Sequence, residues 1–213
     1  MTLRTAPARR HPVTTTVLVG ALALATLGSL QGCVLLLGGA AAVGGGLVLT
    51  DRRTSGAQLE DSSIEIKAGG RVRETIGDRG HVNVTSYNRM VLLSGEVPTE
   101  EDKAAVGKAV SGIDNVTSVV NELEIGPPSS LKTRSSDTLI TTRVKSALVD
   151  AKDLQANAFK IVTERGNVYL MGRVTEREAN RAADVARSQA SVLKVIKVFE
   201  ILTEDQLANL RNG

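Results

Sequence analysis

Few side chains in this sequence have the types and spacing for chemistry. Cys33 is the one cysteine, and of the two histidines only His81 lies beyond the first 32 residues. With one histidine there and the thiol in a modification motif, Ser–His and Cys–His nucleophiles and histidine-based metal sites are not expected. A lone cysteine also excludes an internal disulfide framework, a Cys-rich zinc site and CxxC redox chemistry. Glu100-Glu101-Asp102 is an acidic cluster, but it opens a helix pattern, where the dipole favours acids. The hairpin glycines match no phosphate-binding pattern. No catalytic residue, no metal ligand and no cofactor is therefore expected, and the chain reads as non-enzymatic.

The chemistry that remains is covalent modification. A basic stretch with Arg4, Arg9 and Arg10 precedes an apolar run, Val13–Leu30. That is the layout of a secretory signal peptide over 1–32. The alternative, a transmembrane anchor, is barely long enough and is diluted by threonines. Arg9-Arg10 in its context gives little support for a twin-arginine signal. Leu30-Gln31-Gly32-Cys33 resembles a bacterial lipobox. The resemblance implies cleavage before Cys33, a diacylglycerol on its thiol and an acyl group, such as palmitate, on its amine. One such chain binds membranes marginally, whereas three hold almost irreversibly. Val34 rather than Asp after the cysteine favours transport to the outer membrane.

The elements that carry the rest of the chain follow from composition and repetition. Of 213 residues 42% are hydrophobic, yet only Tyr87, Phe159, Tyr169 and Phe199 are aromatic. Stacking platforms for nucleic acid are not expected, and the core must be Val, Ile, Leu and Ala. Net charge is +3, but the three arginines of 1–32 account for it. Residues 34–49 are wholly apolar and Gly-rich. They are expected to lie as a tether on or in the leaflet, with small residues four apart allowing helix association as the other reading. Together 33–59 form an acylated tether and linker.

The remainder is one unit written twice. Val84–Val97 (VTSYNRMVLLSGEV) aligns without gaps on Ile161–Val174 (IVTERGNVYLMGRV). Each segment reads as a β-hairpin. A Thr-capped helix follows in each, at Thr99 and Thr175, and then a β-rich run, Val116–Ile125 or Val192–Leu202. An amphipathic helix precedes each hairpin, with Ile64, Ala68, Val72 and Ile76 on one face in the first unit. In the second, over Asp137–Leu148, Ile140, Val144, Ala147 and Leu148 share a face. The expected fold is α+β, two tandem αββαβ domains over 60–126 and 136–203. A linker occupies 127–135 and a tail 204–213. Units of this size have thin cores, so packing of the two against each other would help.

This pattern resembles the BON domain, on the αββαβ order, the apolar-x-apolar-x-Gly-x-Val strand and the Thr-capped helix. Leu30-Gln31-Gly32-Cys33-Val34, Thr141-Thr142-Arg143-Val144 and Leu170–Ala179 extend the resemblance to the dual-BON outer-membrane lipoproteins, the DolP group. The resemblance implies a periplasmic protein on the inner face of the outer membrane, enriched at division sites in some members. It implies binding to anionic phospholipids such as phosphatidylglycerol and cardiolipin, and support of envelope integrity.

Charge divides between the units. Residues 60–126 hold 7 basic and 12 acidic residues, and 131–213 hold 14 and 10. An anionic surface should attract the second unit and repel the first. With Ile140, Val144 and Leu148 inward, Leu139, Thr142, Arg143 and Ser146 share an outward face, flanked by Lys145. These five are the expected lipid contacts, and in the DolP group this helix is the phospholipid-contacting element. Leu139 stands where that group carries an aromatic residue. A solvated basic face with one exposed leucine is the other reading. So is a scaffold whose acidic first unit docks outer-membrane assembly proteins or peptidoglycan-associated partners.

Overall fold

The structure, a computed structural model, describes residues 51–212. The expected signal segment, the expected lipidation site Cys33 and the apolar run 34–49 lie outside the described residues. No helix among the described residues is long and apolar enough to cross a membrane.

The first repeat runs α1 (Ser55–Ile76), β1 (His81–Tyr87), β2 (Met90–Val97), α2 (Glu100–Ser111), β3 (Ser118–Asn121) and β4 (Glu124–Ile125). The second runs α3 (Leu131–Asp150), a short 3₁₀ turn (Ala156–Ala158), β5 (Phe159–Glu164), β6 (Asn167–Thr175), α4 (Glu176–Arg187) and β7 (Lys194–Leu202). A final helix, α5 (Glu204–Asn212), follows. In each repeat the hairpin is antiparallel and the last strand joins the second hairpin strand in parallel. The fold is α+β, two αββαβ units in tandem. The last strand of the first repeat is broken at Glu122-Leu123, where Leu123 turns into the core.

Three elements extend beyond their expected bounds. Helix α1 begins at Ser55, inside the stretch read as linker, because the Thr54 hydroxyl caps it by accepting from the Ala57 amide at 3.1 Å. Helix α3 begins at Leu131, because Ser130 accepts from the Thr133 amide at 3.2 Å. The C-terminal stretch read as a tail holds α5, anchored by buried Leu207. The first turns of α1 and α3 are polar or exposed, so apolar spacing alone does not register them.

Both hairpins close through two residues with positive φ, Asn88-Arg89 and Arg165-Gly166, the twist that suits paired strands. Each turn is held by an aspartate one helix away. Asp61 on α1 accepts the amides of Asn88 and Arg89 at 2.8 and 2.7 Å. Asp137 on α3 accepts those of Arg165 and Gly166 at 2.9 and 2.8 Å. The matching glycines Gly95 and Gly172 mark close strand approach. A Cβ there would stand 2.0 Å from the His81 carbonyl oxygen and 2.4 Å from that of Ala158.

Alternation then assigns the faces. Val91, Leu93 and Val97 of β2 pack under α1 and α2 with Ile64, Ala68, Val72, Ile76, Val106 and Val110. Val168, Leu170 and Val174 of β6 pack under α3 and α4 with Ile140, Val144, Leu148 and Ala182. The opposite sheet faces meet each other. Tyr87 and Leu92 of the first repeat form one apolar cluster with Tyr169, Met171 and Val198 of the second. Strands β2 and β6 are thus buried on both faces. Each sheet covers the face that the other repeat's thin core leaves uncovered, at roughly 25 cal/mol per Å² of apolar surface.

Candidate functional site

Helix α3 carries the expected contact residues. Ile140, Val144 and Leu148 fix one side of it in the core, and buried Asp137 pins it to the β5–β6 turn. The Thr141 hydroxyl donates to that of Thr163 at 2.7 Å, tying the helix to β5. With these residues turned inward, Leu139, Thr142, Arg143, Lys145 and Ser146 are all exposed. Leu139 is 57% exposed, a high value for a leucine held on a rigid helix. The Thr142 hydroxyl donates to the Thr138 carbonyl oxygen at 2.9 Å, so it is committed to its own helix. Lys145 sits apart from the other four. It turns toward the first repeat and lines a cavity of about 280 Å³ with Asp51, Arg53, Tyr87 and Lys160.

Two further residues belong to this surface. Leu131 is 80% exposed and Val149 is 62% exposed. They lie eighteen positions apart, about five full turns, and therefore point the same way. Leu139, eight positions from Leu131, lies about 80° round the helix from both, so the three are separate apolar points on one broad outward face. Lys132, Arg143 and Lys145 border it, and among the described residues these three form no ion pair. The spacing of Leu131 and Val149 was legible in the sequence. It is missed because Leu131 falls in the stretch read as linker. The matching helix α1 also exposes Leu59 and Ile66, but its charges are mixed, three basic against four acidic.

A second polar locus lies where the repeats meet. Glu96 of β2 is fully buried and accepts from Arg165 Nε and, at 2.9 Å, from the Ser129 amide. Burial alone would raise its carboxyl, but the Arg165 and Ser129 bonds outweigh that and hold it below the usual carboxylate range. Glu164, at the end of β5, accepts from Asn83 Nδ2 at 2.8 Å. Burial pushes its carboxyl up, the Asn83 bond opposes this, and Glu96 and Asp137 add to the rise. His81, set aside in the sequence reading, lies beside both carboxylates. The start of the 127–135 linker is pinned at this locus, since Ser129 is buried against Glu96 and the Pro127 carbonyl oxygen accepts from Arg165 Nη2 at 2.8 Å.

Comparison with known proteins agrees with this architecture. The chain is similar to the outer membrane lipoprotein DolP of Haemophilus influenzae, 41% identical over 179 residues, covering 81% of this chain and 90% of that protein. It is similar to a 21 kDa hemolysin of Actinobacillus pleuropneumoniae, 33% identical over 151 residues, covering 70% and 78% of the two chains. It is also similar to the osmotically-inducible protein Y of Escherichia coli, 26% identical over 145 residues, covering 64% and 70%. The BON domain model matches residues 65–127 and 136–203, the two αββαβ units described above. The chain belongs to the BON domain family, and it carries the domain twice.

Proposed function

We propose that this chain is a non-enzymatic envelope lipoprotein whose second BON domain rests helix α3 on an anionic phospholipid surface. In this reading acylated Cys33 anchors it to the periplasmic face of the outer membrane, and the contact supports envelope integrity. The lipobox-like Leu30–Cys33 and the similarity to an outer membrane lipoprotein support the location. One observation carries the contact: a broad outward face of α3 exposing Leu131, Leu139 and Val149, bordered by cations with no acidic partner among the described residues.

The energetics suit an auxiliary contact. Each lysine or arginine near an anionic surface contributes about 1 kcal/mol, and a leucine tip entering the acyl boundary adds a comparable amount. Such a helix binds weakly alone. The anchor raises its effective concentration at the surface, which makes the contact productive. Phosphatidylglycerol and cardiolipin supply the phosphate that Lys132 and Arg143 would meet.

Vesicle co-sedimentation of residues 51–213 tests the reading, with and without phosphatidylglycerol or cardiolipin. Binding should require anionic lipid and should fall in Leu139→Glu and Arg143→Glu. Equal pelleting with neutral and anionic vesicles would overturn it. The scaffold reading, with the acidic first domain as docking face, would then stand in its place.

A further inference from the structure

Three metal-ligating side chains converge between the repeats. His81 opens β1, Glu96 is its register partner on β2, and Glu164 ends β5 of the second repeat. One ligand atom from each lies within 4.8 Å of the other two. His81 Nδ1 is 3.4 Å from Glu96 Oε2 and 4.0 Å from Glu164 Oε1. Nδ1 is sealed from solvent, and among the described residues no group hydrogen-bonds it.

The cluster is more than an ion-pair network. Arg165 accounts for Glu96, whose Oε1 it bonds. It does not account for Glu164, whose Oε1 has only a long contact, 3.5 Å from the Ser129 hydroxyl. Nor does it account for the imidazole nitrogen. A carboxylate offers about four acceptor positions, so neither glutamate is saturated by these bonds. A cavity of about 240 Å³ adjoins the cluster, lined by His81, Asn83, Arg134, Asp137, Thr141 and Glu164. It provides a route in and room for water.

We infer that His81, Glu96 and Glu164 form a binding site for one divalent transition cation, zinc foremost, that bridges the two repeats. Zinc holds nitrogen and oxygen ligands at about 2.0–2.2 Å, which sets tetrahedral ligand atoms roughly 3.4 Å apart. The His81–Glu96 pair already has that spacing at 3.4 Å, and Glu164 Oε1 lies 4.0 Å from His81 Nδ1. One imidazole and two carboxylates leave a fourth position for water from the cavity. The imidazole favours zinc over magnesium or calcium, which prefer oxygen alone. Two ligands come from the first repeat and one from the second, so the ion would cross-link the repeats. Bound zinc would stabilise the paired repeats by an amount that grows with the logarithm of its concentration over its dissociation constant.

The test is calorimetric titration of zinc chloride into the detergent-solubilised full chain, stripped with chelator, at neutral pH, with thermal unfolding in parallel. One zinc should bind per chain and raise the unfolding midpoint, while magnesium should do neither. His81→Ala and Glu164→Gln should each weaken binding by at least about tenfold, the scale seen when a metal ligand loses support. Circular dichroism and the metal-free midpoint of each variant establish that it is folded. His81→Gln, which keeps the side chain's size, repeats the test should His81→Ala fail to fold. Absence of binding at millimolar zinc would overturn the inference, as would wild-type binding in the folded variants. A midpoint that acid raises and zinc does not would also overturn it, because a proton on the cluster would then do the bridging.

Discussion

Arg52 and Glu178 form a buried two-pronged ion pair, Nη1 to Oε2 at 2.7 Å and Nη2 to Oε1 at 2.8 Å, with side chains only 5% and 3% exposed. They are 126 positions apart. Arg52 also donates to the Arg173 carbonyl oxygen at 2.8 Å, and Arg173 Nη1 returns a bond to the Arg52 carbonyl oxygen at 3.1 Å. Glu178 in turn closes the capping box of α4, accepting from the Thr175 amide at 3.1 Å. The segment leading into the first repeat is thereby built into the second.

Removing one partner strands the other charge. Arg52→Met should cost about 3–5 kcal/mol, the penalty of an unpaired buried charge. Arg52→Lys should recover only part of it, because an ammonium cannot match the two-pronged geometry. The double variant Arg52→Met/Glu178→Gln should be more stable than Arg52→Met. Urea unfolding midpoints decide this, and equal stability of Arg52→Met and wild type would contradict it.

Acid should weaken the fold through its buried, lowered carboxylates, Asp61 and Glu178 among them. Burial alone would raise Asp61, but bonds from Ser86, the Arg89 amide, Arg53 and the Asn88 amide hold it below the usual carboxylate range. Glu178 is likewise lowered, the Arg52 and Thr175 bonds outweighing burial. A carboxylate lowered in the folded state contributes stability above its unfolded pKa, about 4, and loses it as pH falls through the folded value. Stability from these groups should be level above about pH 5 and decline below it. Asp61→Asn should lose about 1–3 kcal/mol at neutral pH and show a shallower acid decline than wild type. Denaturant midpoints across pH provide the check.

Glycine substitutions should have opposite signs by position. Gly95 has φ of 111° and would place a Cβ 2.0 Å from the His81 carbonyl oxygen. Gly95→Ala should therefore destabilise by about 1–3 kcal/mol or more. Gly69 and Gly70 lie within α1, where an added Cβ meets nothing within 4 Å. Gly69→Ala and Gly70→Ala should each stabilise by about 0.5–1 kcal/mol. Thermal midpoints moving in the same direction for all three would refute this account.

The shared apolar layer should make the repeats unfold together. Met171→Ala and Leu92→Ala each cut into the cluster between the sheets, at about 2–5 kcal/mol. Hydrogen exchange should show both repeats losing protection in either variant. Leu139→Glu, on the exposed face of α3, should leave stability within about 0.5 kcal/mol. That silence separates the surface role proposed for Leu139 from a structural one.

Local periodicity was legible in the amino-acid order. The repeat, the two hairpins, the Thr99 and Thr175 caps and the outward face of α3 each depend on residues within a few positions of one another. Period two and period 3.6 report which side of an element is apolar, and they placed Leu139 opposite Ile140, Val144 and Leu148. They do not report which apolar face meets which. The pairing of the two sheets through Tyr87, Leu92, Tyr169 and Met171 arises only when both repeats are folded. The seating of Arg52 on Glu178 and the meeting of His81 with Glu96 and Glu164 have the same origin. Their partners come from different repeats or strands, and no local spacing encodes such distances. The sequence by itself determined the repeated elements and their faces, though not the first turns of α1 and α3 or the C-terminal helix. The tertiary structure decided which polar groups were buried together, because packing two thin cores back to back creates the enclosed, low-dielectric seam where such groups must find one another.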